Sequence, residues 1–190
     1  MQQISGRVII LTIFGIGLAL SGGAWWYHYM GARQAAAFWG SPSGRLIVRG
    51  PEVTFFHLGE LAADGSDEEL IAGRMIKSEI DLSGKPGLIH LRHVFTQDSN
   101  LQWDGRTREP AGKGDWAYAV RFGEGDLETV VLFRRDFERI GKLDGEEVDA
   151  LPSPRIAKPV TQYLGDVGAL AGEAKTPLGR ELGAERQAGR

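Results

Sequence analysis

Residues 8–27 of this chain, VIILTIFGIGLALSGGAWWY, hold no charged side chain and only Thr12 and Ser21 as polar groups. As a helix, twenty such residues measure about 30 Å, the thickness of a bilayer's hydrocarbon core. Trp25, Trp26, Tyr27 and Tyr29 gather at the C-terminal end, where amphipathic rings favour the membrane–water boundary. The pattern predicts one transmembrane helix over 8–30, with the lipid bilayer as its first partner. A cleaved signal peptide is the competing reading, with Arg7 before an apolar 8–20 and Gly22-Gly23-Ala24 as the cleavage site. The aromatic cluster directly after Ala24 suits a membrane exit better than a new N-terminus.

Arg7 and the α-amino group on one side nearly balance Arg33 and Arg45 on the other, so the positive-inside rule is close to a tie. A short N-terminus before a single apolar segment behaves as a signal-anchor, which puts the soluble bulk on the extracytoplasmic side. Gly15, Ala19 and Gly23 share a small-residue face on which two such helices could approach as a homodimer.

The rest of the chain has ordinary globular content, 25% charged and 42% hydrophobic over the whole sequence. The formal net charge is −3, and residues 1–30 contain Arg7 and no acid, so the soluble part is the acidic part. Nucleic acid is therefore not an expected partner. With no cysteine, disulfides, thiolate metal sites and thiol catalysis are excluded.

The organisation reads as a short flank (1–7), the transmembrane helix (8–30), a juxtamembrane linker (31–44), a soluble domain (45–171) and a flexible tail (172–190). Within the domain, RLIVRG (45–50) and VTFFHLG (53–59) read as strands around the Gly50-Pro51 turn, followed by an acidic loop over 60–69. Ile76, Ile80 and Leu82 alternate with Lys77, Glu79 and Asp81, a strand with one wet face. Leu88, Leu91, Val94 and Phe95 fall on a helical stripe entered through Pro86. DWAYAVRF and ETVVLFRRDF enclose a glycine-rich turn at 123–126, a β-hairpin, and RIGKLDG extends it or adds a third strand. Val160, Tyr163, Leu164 and Val167 repeat the helical spacing. The expected fold class is α+β, the transmembrane helix being followed by a small antiparallel sheet covered by two helices.

Candidate chemistry is sparse. His90 and His93 lie three apart on the predicted helix and could join His57 around a metal, but a zinc site needs three or four ligands, and this spacing is a weak signal. The stripe of Leu88, Leu91 and Phe95 turns both histidines toward the helix flank. GSPSG (40–44) has proline where a nucleophile elbow needs serine. GKGDW and GEGD lack the lysine or third glycine of a phosphate loop and read as turns. The acids at 67–69 and 144–149 do not match a calcium loop and read as solvated loops. Arg134, Arg135, Arg139 and Lys142 are interleaved with Asp136 and Glu138, which favours ion pairs over an anion site. Trp103 and Trp116 are expected in packing. No catalytic or cofactor-binding residue is assigned, and no cofactor is expected.

The pieces RLIVRGPEVTFFHLGE and PGLIHLRHVFTQDSNLQW, preceded by one anchor ending in aromatics, resemble uncharacterised single-pass membrane-anchored proteins of planctomycete bacteria. The resemblance covers roughly residues 8–165 and implies location and architecture, with no activity or site residues. It makes no demand on His93, Thr96 or Gln97. The function expected is a non-enzymatic membrane-anchored domain working through an unidentified protein partner or as an accessory subunit. The alternative is a tethered ligand-binding, metal-binding or hydrolytic domain using His57, His90 and His93.

Overall fold

The computed structural model describes residues 6–62 and 69–171. Helix α1 (Gly6–Met30) is the apolar segment, and its window Ile10–Tyr27 is long and apolar enough to cross a membrane. None of that window is buried against the rest of the chain, and Leu11, Leu20 and Trp25 each expose more than 60% of their surface. So large an apolar surface calls for a covering that the described residues do not supply.

Two short helices follow, α2 (Arg33–Trp39) and α3 (Ser41–Arg49), then strands β1 (Glu52–Leu61), β2 (Leu70–Ile71) and β3 (Arg74–Asp81). Helix α4 (Leu88–Thr96) leads through two single 3₁₀ turns, Asp98–Asn100 and Trp103–Gly105, to β4 (Thr107–Pro110). After a third such turn, Ala111–Lys113, come β5 (Trp116–Glu124), β6 (Leu127–Arg134), β7 (Arg139–Asp144), β8 (Glu147–Pro152) and helix α5 (Pro154–Asp166). All strands pair antiparallel in one sheet, ordered β2-β3-β1-β5-β6-β7-β8-β4. The α+β class is as expected, but among the described residues the sheet has eight strands and four helices join it.

Several local readings change. The segment read as a linker folds as α2 and the start of α3, with Ala35, Phe38 and Trp39 buried. RLIVRG is helical rather than extended: Pro42 sits in the first turn, where its missing N–H costs nothing, and adjacent Leu46 and Ile47 both face the core. The C-terminus of α3 is capped from α4, where Arg92 donates to the carbonyls of Ile47 and Gly50. Burial pushes the Arg92 guanidinium below its ordinary range, partly offset by the neighbouring Tyr163, whose hydroxyl burial pushes up. The acids at 144–149 are not a loop but the β7–β8 hairpin. Its turn is Gly145-Glu146, with Gly145 at φ +61°, a conformation that favours glycine. The acids at 67–68 lie outside the described residues, as does the tail 172–190, while Glu69 is exposed and pairs with Arg121.

The sheet is curled. Gly114, four residues past the end of β4, accepts a hydrogen bond from Arg74 of β3 at 2.9 Å. Four residues reach at most about 14 Å. In a flat sheet, the six strand spacings from β4 to β3 would cover about 29 Å. The curl gives the molecule two cores. On the outer face α2, α3, α4 and α5 pack over Val53, Phe55, Tyr118, Val120, Phe122 and Phe133. Inside the curl lies a second cluster around Phe56, Trp116, Leu132 and Val148. A register shift between Trp116 and Tyr118 turns Trp116 inward although Tyr118, Val120 and Phe122 face the helices.

Candidate functional site

The most organised polar cluster lies where α1 leaves its apolar span. The Asp98 backbone N–H donates to the Gly31 carbonyl at 2.9 Å, one residue past the end of α1. The Asp98 carboxylate then accepts from the backbone N–H groups of Gln34 and Ala35, at 3.0 and 2.7 Å. Those N–H groups are in the first turn of α2, where a helix has no internal acceptors for them and a negative charge is favoured. One residue, 64 positions further along the chain, thus fastens both the end of α1 and the start of α2.

Aromatic packing completes this clamp. Trp103 Nε1 donates to the Asp98 carbonyl at 3.1 Å, and its ring meets Phe38 edge-on. Trp39 Nε1 donates to the Phe95 carbonyl at 2.8 Å, tying α2 to the end of α4. Arg106 lies over the Phe38 ring and makes a two-pronged contact with Asp149, which raises the guanidinium further above its ordinary value. The guanidinium is more than half exposed, so the pair fixes geometry more than it adds stability.

Replacing Asp98 by alanine should leave two N–H groups of α2 without their acceptor and cost about 1–2 kcal/mol. Hydrogen exchange at Gln34 and Ala35 would rise in the variant; unchanged exchange would show the clamp to be dispensable.

Beside the clamp, residues 99–104 and 154–155 line a cavity of about 380 Å³. Arg155 donates to the Ser99 carbonyl at 2.7 Å across its edge. A smaller cavity of about 270 Å³ lies at the β5–β6 turn, where Glu52, Asp126 and Glu128 outnumber Arg121. Arg121 is already held by Glu69 at 3.1 Å and stacked over Phe56.

The histidines are placed differently from one another. His57 is buried in β1, its Nε2–H donating to the Ala169 carbonyl at 2.7 Å, between Phe55 and Tyr118 rings met edge-on. His90 and His93 are both exposed on α4, and Gln97 donates its amide to His93 Nε2 at 2.7 Å. Among the described residues, no group of three or more His, Asp or Glu side chains is close enough to hold a metal. Trp116 is buried inside the curl and Trp103 packs on the clamp, as expected of packing residues. The role of Asp98 had no local signal, because its partners are set by the fold alone.

The chain matches no protein-family model, no curated protein and no solved structure at a significant level.

Proposed function

We propose that this chain is a non-enzymatic, single-pass membrane protein whose α+β domain sits against the extracytoplasmic surface of the bilayer and acts through protein contacts or as an accessory subunit. The observation that carries this reading is the Asp98 clamp. A domain on a loose tether needs no bond to the residues that follow its anchor, whereas here Asp98 holds the Gly31 carbonyl just past α1 and two backbone N–H groups at the start of α2. A fixed stance at the membrane suits a protein that presents a surface to a neighbour. Extracytoplasmic placement is part of the proposal, and protease access to the domain in intact spheroplasts tests it. The small-residue face of Gly15, Ala19 and Gly23 offers a second copy of the chain as one possible neighbour.

Use of His57 in a metal or hydrolytic site would require breaking its bond to Ala169 and opening the core around it, so that alternative gains no support from the geometry. Amine-reactive cross-linking of intact membranes tests the contact reading. A discrete species heavier than the chain, reproducible across reagents of different length, is the expected result. Recovery of the monomer alone at every length would contradict it.

A further inference from the structure

The cavity beside the clamp carries two opposite charges that do not pair with each other. Asp104 and Arg155 both line it, both are exposed, and neither forms an ion pair among the described residues. Arg155 is steadied by its bond to the Ser99 carbonyl, which leaves its remaining N–H groups without an acceptor among the described residues. Trp103, the aromatic residue of the lining, is fixed by its own bond to Asp98 and is half-buried. An arginine suits a phosphate, while a carboxylate and an indole face suit an ammonium group. The volume of about 380 Å³ falls in the range of small-molecule sites.

The position of the cavity beside the end of α1 points to a molecule that would bring both groups. The apolar window ends at Tyr27, and Gly31 lies four residues beyond it. At helical rise that is about 6 Å past the end of that window. The head-group layer is roughly 5–7 Å thick on each side of the bilayer. Asp98 is bonded to Gly31, and the cavity lining begins at the next residue, Ser99.

We propose that this cavity seats the head group of a zwitterionic glycerophospholipid, with its phosphate on Arg155 and its ammonium on Asp104 beside the Trp103 ring. The inference rests on the membrane reading above and gives the anchored domain a second, lipid-specific hold. A phosphate without an ammonium would meet the uncompensated Asp104 carboxylate, so an anionic head group or free phosphate is the poorer fit.

The test uses the full chain in maltoside micelles, titrated with short-chain phosphatidylethanolamine, short-chain phosphatidylglycerol or inorganic phosphate, and read by native mass spectrometry. One phosphatidylethanolamine per chain is expected, with Arg155→Gln and Asp104→Asn each weakening it by about tenfold or more, the loss of one charge-assisted contact. Phosphatidylglycerol and phosphate should bind more weakly than phosphatidylethanolamine. Equal binding by wild type and both variants, or phosphate binding as tightly as the lipid, would overturn the assignment. Circular dichroism confirms that the variants, both at exposed positions, are folded. Carbonate washing of the wild type in phosphatidylethanolamine liposomes separates the two levels of the claim. Retention without head-group selectivity removes this inference alone, while release of the wild type removes the membrane reading beneath it.

Discussion

Replacing Trp116 by alanine is expected to lower the unfolding free energy of the domain by about 3–5 kcal/mol, the range for deleting a large buried ring. Trp116 is 1% exposed and fills the inside of the curl. Its six-membered ring lies over Gly141, where an added Cβ would come within 2.9 Å of Cη2 and 2.3 Å of Val148. The inner cluster mixes small residues, Ala119 and Ala150, with Phe56, Leu132 and Val148, and how far these relax sets where in that range the loss falls. Phenylalanine is the informative control. Trp116 Nε1 is buried without a hydrogen-bond partner, and an unpaired buried donor costs about 1–3 kcal/mol. Trp116→Phe removes that cost along with part of the ring, so its net loss should be well below that of alanine. Urea unfolding of the full chain in detergent measures both. A phenylalanine variant as damaged as the alanine variant would mean that the indole N–H has a partner after all.

The second large effect is expected at Trp39. This residue is also 1% exposed, meets Phe38 at 4.7 Å and Phe95 at 6.4 Å between ring centroids, and donates to the Phe95 carbonyl. Trp39→Ala should again cost about 3–5 kcal/mol, from the cavity and the lost bond together. The consequence should also be local. Helix α2 has seven residues, too few to hold its own shape, and Trp39 is its main attachment to α4. Exchange at α2 amides should therefore rise more than at the β5–β6 hairpin. A uniform rise across the domain would indicate that α2 unfolds only with everything else. Trp39→Phe keeps most of the packing and loses the bond, with an expected cost of about 1–2 kcal/mol.

The elements legible in the sequence are those whose own pattern decides their structure. Alternation marked β3, the Gly125-Asp126 turn marked the β5–β6 hairpin, and the spacing of Val160, Tyr163 and Leu164 marked α5. The elements that were not legible depend on partners far along the chain. RLIVRG carries strand-like residues, and only the sheet beneath Leu46 and Ile47 selects the helix. Strand β8 does alternate, with Val148 and Ala150 inward and Glu147 exposed, but its acids made the stretch read as solvated loop. Four-residue β4 is too short to show a period at all. The curl, which creates the inner core, follows from the strand order and from a register shift at Trp116 that no local signal announces.

The clamp was less legible still. Nothing in the sequence neighbours of Asp98 points to Gly31, Gln34 or Ala35. The apolar helix itself was clear from residues 8–27 alone, and the clamp explains how the domain would use it.

The central claim is that α1 stays attached and holds the domain at the membrane, and one measurement addresses it directly. The full chain carrying a C-terminal tag is expressed, spheroplasts are prepared and challenged with protease, and the product is fractionated and weighed. The account predicts a full-length, membrane-bound, protease-sensitive product. A full-length but protected product would contradict the extracytoplasmic placement. A soluble product shortened by about 24 residues, as cleavage after Ala24 would give, would contradict the anchor itself.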